Sequence, residues 1–128
     1  MIDHITLCLA DFEKAKHFYE RALAPLGLKR LMGEEGVYLG FGKERPFFWV
    51  GASDDSHPVS KAVHVAFAAQ SNSEVKAFYE AALAAGAKDH GSPGYREQYG
   101  LGYFAAFVFD LEGHNIEAVH YDPAGFSA

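Results

Sequence analysis

What this chain lacks narrows it first. Its single cysteine, Cys8, cannot form an internal disulfide, which fits a reducing compartment. No run of eighteen apolar residues occurs and no charged-then-apolar leader opens the chain, so neither a membrane span nor a signal peptide is expected. There is no basic cluster. Eleven basic against 17 acidic residues give a net charge of −6, which argues against nucleic acid as a partner. Neither GxGxxG nor GxxxxGK[ST] is present, so the 13 glycines do not build a nucleotide loop. No serine or cysteine stands out as a nucleophile, and Cys8 is expected to be buried. The expectation is a soluble, cytoplasmic domain that handles a small molecule.

What is present is apolar and repetitive. With 128 residues, 49% hydrophobic and 15% aromatic, the chain can fill the core of one domain, or of two small halves sharing a core. "HITLCLADFEKAKHFYERALA" (4–24) aligns without gaps on "HVAFAAQSNSEVKAFYEAALA" (64–84), and eight of the 21 positions are identical, including His4/His64 and Tyr19/Tyr79. We read a duplicated module: the first over about 1–51, a polar linker over 52–61, and the second over about 62–122.

Each module opens with a short strand and turns helical. Ala15, Phe18, Tyr19, Ala22, Leu23 and Leu26 recur at helical spacing, as do Val75, Phe78, Tyr79, Ala82 and Leu83. Such stripes pack a core. Asp11 is placed to cap the first helix, Ser71 with Glu74 to box the second, and Gly27 and Gly86 to end them. Residues 36–42, 46–51, 102–110 and 115–121 read as strands, with weaker ones near "LKRLM" and "AKDH". The predicted fold is therefore α+β: two tandem βαβββ modules.

Strand alternation then selects the chemistry. Ile5, Leu7 and Leu9 share a face suited to the helix, which leaves His4, Thr6 and Cys8 on the other. On the last strand Ile116 and Ala118 alternate with Glu117. A carboxylate in a core strand needs a partner, because removing its charge from water costs several kcal/mol. Counted along the strands, Glu117 faces the same side as His4 and His64. Either the histidines are hydrogen-bonded core residues, or the three hold a metal ion with coordination positions left open for catalysis.

Other candidates follow from position. The segment "GYREQYGLGYF" (94–104) is read as the long connection before the penultimate strand: a rim over the site, or a solvated loop. In the first case Arg96 pairs with an acidic substrate, Tyr99 donates a proton or hydrogen bond, and Tyr103 contacts the ligand. Trp49 and Phe47 share a face and form either an apolar ligand wall or core filling.

Paired βαβββ modules, a histidine near each module start and "GHNIEAV" near the end resemble the vicinal oxygen chelate superfamily. That group includes glyoxalase I, extradiol dioxygenases, and fosfomycin- and bleomycin-resistance proteins. "MIDHITLCLADFEKAKHFYERAL" and "FVFDLEGHNIEAVHYD" resemble the hallmark segments of its small bacterial members. The resemblance implies curved mixed sheets forming a cup around a divalent metal (Fe, Mn, Zn or Ni) held by His4, His64 and Glu117. It implies a homodimer as well, and a threonine at Thr6 that assists the substrate. Aligning 42–50 with 110–118 puts Trp49 where glyoxalase I enzymes carry a fourth ligand, a Glu. The remaining His-His-Glu set resembles that of extradiol dioxygenases and fosfomycin-resistance transferases. The implied function is a metal-dependent lyase, isomerase or dioxygenase acting on vicinal oxygens. The alternative is a bleomycin-resistance-like protein that sequesters a cationic or flat ligand without catalysis.

Overall fold

The alternation of Leu7 and Leu9 with Thr6 and Cys8 makes β1 (Ile5–Leu9), whose two leucines are buried. In the computed structural model, which describes residues 1–127, α1 (Phe12–Leu23), β2 (Lys29–Glu34), β3 (Tyr38–Gly42) and β4 (Pro46–Ala52) complete the first module. The second repeats the order with β5 (His64–Ala68), α2 (Asn72–Ala84), β6 (Lys88–Tyr95), β7 (Tyr103–Phe109) and β8 (Asn115–Tyr121). Each module carries a four-stranded mixed sheet, ordered β1-β4-β3-β2 and β5-β8-β7-β6. The first strand of each module pairs in parallel with its last, a connection that the intervening helix makes possible.

Local signals stand behind the helices. Asp11 accepts from Lys14 N–H at 3.1 Å and Ser71 from Glu74 N–H at 3.1 Å, each satisfying a donor that the first turn leaves open. Glu74 reaches back to the N–H of Gln70 at 2.9 Å. After a 3-10 turn (Ala24–Leu26) the chain reverses at Gly27, whose φ of 78° suits a residue without Cβ.

The helical stripes meet in one shared core. Phe18, Tyr19 and Phe78 are fully buried, and Phe48 lies 5.0 Å from Tyr19 and 5.0 Å from Phe67 between ring centroids. Polar contacts fix one module against the other. The Glu112 carboxylate accepts from the N–H groups of Ala10 and Asp11 at 2.8 and 2.9 Å. Tyr19 donates to Asp110 at 2.5 Å, while Asp110's other oxygen accepts from the N–H groups of Glu112 and His114. Burial, with the nearby Asp110 charge, pushes the Tyr19 phenol well above its ordinary pKa.

Three local expectations are corrected. The connection expected over 94–104 is shorter, because β6 runs on through Gly94 and Tyr95. Cys8 is only half-buried, since its face of β1 is not covered by a helix. His4 lies just before β1, which begins at Ile5. Among the described residues no helix is long and apolar enough to cross a membrane.

Candidate metal and ligand site

Glu117 sits mid-strand in β8, in register with Ala66 on β5 and Phe107 on β7. It is 1% exposed, so its charge must be compensated locally. Both oxygens are engaged. Oε1 lies 2.8 Å from His64 Nε2, and Oε2 accepts from the Tyr103 hydroxyl. A carboxylate only accepts, so His64 carries its hydrogen on Nε2 in this state. Burial, reinforced by the hydrogen bond to Glu117, pushes the Tyr103 phenol upward, so it remains a donor at neutral pH.

The pair opens outward through His64, whose side chain is 52% exposed. It forms the floor of a cleft of about 590 Å³. Arg96 stands on the wall, held by three backbone carbonyls: Nη1 donates to Gly94 O at 2.8 Å and Ala105 O at 3.3 Å, and Nη2 to Ser92 O at 2.7 Å. Its guanidinium also lies 5.5 Å from the Phe107 ring centroid. Gly91 makes room for it, since a Cβ there would come within 3.1 Å of Arg96 Nη2 and 3.0 Å of Phe107. Neutral carbonyls orient the guanidinium without cancelling its charge. The cleft is therefore lined by a cation as well as by the Glu117 carboxylate. Tyr99, 61% exposed, stands edge-on to Tyr103 at the mouth.

A family model for the Glyoxalase/Bleomycin resistance protein/Dioxygenase superfamily matches residues 1–118. The chain belongs to this superfamily. A glyoxalase/bleomycin resistance protein from Albidiferax ferrireducens T118 superposes with a TM-score of 0.78 at 25% identity, over 92% of this chain and 96% of that one. Lactoylglutathione lyase from Agrobacterium tumefaciens shares the fold at TM-score 0.69 and 18% identity, over 94% and 92%. So does a fosfomycin resistance protein from Listeria monocytogenes, complexed with Mn(II) and 1S,2S-dihydroxypropylphosphonic acid, at TM-score 0.67 and 18% identity over 98% and 94%. Among curated proteins none matches.

Superfamily membership sharpens the question of a metal. Two donors on one ion at about 2.1 Å and a right angle stand about 3.0 Å apart. The 2.8 Å between His64 and Glu117 is close to that spacing. The third expected donor is not in place. The His4 ring turns outward to Asp3 at 2.7 Å, and Arg45 lies on the same carboxylate at 3.3 Å. That hydrogen bond from His4, with Arg45's charge behind it, lowers the Asp3 pKa. Among the described residues no group of three or more His, Cys, Asp and Glu side chains could hold an ion. Ser60 N–H donates to Cys8 O at 2.8 Å and Cys8 N–H to Ser60 Oγ at 2.9 Å, so the linker returns beside β1. His64 and Glu117 stand at a spacing that suits two donors on one divalent ion, and His4 does not join them in this structure.

The other expected residues divide between two places. Tyr99, Arg96 and Tyr103 line the cleft with His64 and Glu117. Thr6 lies across β1 from Trp49 on the exposed face of the first module and does not line the cleft. Trp49 lies against Gly40, 5.8 Å from the Tyr38 ring, and Phe47 is 38% exposed in a separate groove. Four cleft residues were not foreseen as such: His90, stacked on Phe109 at 4.1 Å, Gly91, Phe107 and Asn115. Strand parity carried a signal for two of them, because Phe107 is four residues from Tyr103 and Asn115 two from Glu117. His114 is a core residue instead, fully buried, its Nδ1 accepting from Val63 N–H at 3.1 Å.

Proposed function

We propose that this chain is a divalent-metal-dependent enzyme of the superfamily, a lyase, isomerase or dioxygenase, acting on a small anionic molecule with two adjacent oxygens. The observation that carries this reading is the buried Glu117 carboxylate, clamped between His64 and Tyr103 at the floor of a cleft that also presents Arg96. His64 and Glu117 would hold the ion, with His4 joining once it leaves Asp3. When bound, such an ion supplies Lewis acidity toward the substrate's oxygens.

The chain's own residues do the rest. Arg96, preset by three carbonyls, attracts the anionic end and fixes its orientation. Tyr103 occupies Glu117 Oε2, so that Oε1 alone faces His64. Tyr99 at the mouth offers a hydroxyl to a substrate oxygen. Phe107 and the Tyr103 ring form a partly apolar wall, which strengthens the electrostatic contacts within. A homodimer belongs to the same proposal: Met32, Val37 and Tyr38 on the β2–β3 hairpin are exposed apolar surface that a second copy would cover.

The test is a calorimetric titration of metal-stripped protein with manganese(II), wild type beside His64→Ala. Binding near one equivalent in the wild type and none in the variant supports the proposal. Equal binding by both contradicts it.

One observation favours a second reading, ligand sequestration. Trp49 and Tyr38 present adjacent aromatic faces on the open side of the first module, which would suit a flat ligand. Quenching of the single tryptophan by cationic aromatic compounds, with no need for metal, would select that reading.

A further inference from the structure

A second cavity adjoins the cleft and is more apolar. This groove, about 510 Å³, is walled mainly by Ile2, Ile5, Phe47, Val65 and Phe67, with Asp3 and His64 as its polar lining residues. His64 lines both spaces. Ala66, on the groove side, is the register partner of Glu117, on the cleft side. Neighbouring strands lie about 4.8 Å apart, so the two regions are separated by one strand spacing. Ala66 is exposed and carries only a methyl group, which leaves the way past His64 open.

We propose that the ligand is an amphiphile: an anionic, oxygen-rich head in the cleft and an unbranched apolar tail that passes over Ala66 into the groove. This rests on the reading of the cleft as the substrate site and adds the substrate's class. The argument is one of matched chemistry at each end. Arg96, His64 and Glu117 suit oxygens and a negative charge, whereas the groove, walled mainly by Ile2, Ile5, Phe47, Val65 and Phe67, rewards apolar surface and, with Asp3 beside it, disfavours a second anion. A larger residue than alanine at position 66 would stand between them. Ala66 is therefore the residue that admits the tail.

The test uses straight-chain 2-oxo acids, namely 2-oxopropanoate, 2-oxohexanoate and 2-oxononanoate, titrated by calorimetry into the full chain with manganese(II) present. Affinity is expected to rise about fourfold for each methylene that reaches the groove. In Ala66→Phe the short acid should bind as before while the gain with length disappears. Phe47→Asp, at a half-exposed position, should reduce the same gain from the groove side. Equal affinity for all three acids would overturn the inference and leave the cleft reading standing. A length dependence that survives both substitutions would also overturn it. Failure of every acid to bind would overturn the cleft reading, and the inference with it.

Discussion

His64 Nε2 and Glu117 Oε1 stand 2.8 Å apart, one side chain half-exposed and the other buried. The duplicated first strand supplies the histidine and the last strand of the same module supplies the carboxylate. Parallel pairing of β5 with β8 brings them together. Everything proposed for this protein depends on that pairing.

Tyr103 holds the far oxygen of Glu117 and so fixes the direction of the near one. Outer partners of metal-binding carboxylates tune affinity by about 10–100-fold. Tyr103→Phe should weaken manganese(II) binding by that amount while the protein stays folded. Competition with a chelator measures it, and unaltered affinity would show that Tyr103 does not orient the carboxylate.

Gly91 and Arg96 form a matched pair. At φ 151° and with Arg96 and Phe107 at contact distance, Gly91 cannot take a Cβ without moving one of them. Gly91→Ala should cost about 1 kcal/mol or more of stability and weaken binding of 2-oxopropanoate. Arg96→Gln should weaken that acid by about tenfold or more while sparing the fold, because one charged contact is lost. Calorimetry on both variants checks this. Full affinity in Arg96→Gln would remove Arg96 from the site.

Between the modules, Tyr19 and Asp110 share a buried hydrogen bond of 2.5 Å. Tyr19→Phe keeps the ring but leaves Asp110 Oδ2 without its donor. The expected loss is about 1–3 kcal/mol in urea unfolding. A change below about 0.5 kcal/mol would mean that the modules do not rely on this contact.

The tyrosines also set an alkaline limit. Tyr19 and Tyr103 have folded pKa values raised above those of the unfolded chain, Tyr19 by burial and Asp110, Tyr103 by burial and Glu117. Their stabilisation is complete below the unfolded value, about pH 10, and is lost as pH rises through the folded values. Asp89 and Asp122 are lowered, by the Gly91 N–H and by Tyr95 first, so their contribution fades as pH falls below about 4. Unfolding free energy should hold between about pH 5 and 9 and fall beyond pH 10, less steeply in Tyr19→Phe. A flat alkaline profile would contradict this.

Much of this was legible in the residues. The repeat at His4 and His64, the helical stripes and the Asp11 and Ser71 caps are local patterns, and local patterns survive folding. The side on which Glu117 lies followed from strand period alone, and its contact with His64 agrees with it. Side-chain torsion was not legible. Nothing in the order of residues shows that the His4 ring turns to Asp3, because both are neighbours on an exposed turn before β1. Arg96 read as a rim residue for an acidic substrate or as part of a solvated loop, and its fixing to carbonyls of Ser92, Gly94 and Ala105 through irregular pairing of β6 with β7 left no direct sign in the sequence. Such irregularities depend on tertiary pairing and leave only glycines as a trace. His90, between Asp89 and Gly91 where that register shifts, joined the cleft for the same reason.

The most direct measurement is the metal content of tag-free protein by elemental analysis, wild type beside Glu117→Gln. The account predicts near-stoichiometric divalent metal in the wild type and its loss in the variant, whose fold should persist because glutamine matches the shape of glutamate. Iron would point to dioxygenase chemistry; zinc, nickel or manganese to lyase or isomerase assays. Equal metal in both proteins, or none in either after reconstitution with each ion, would contradict the assignment of His64 and Glu117 as a metal site.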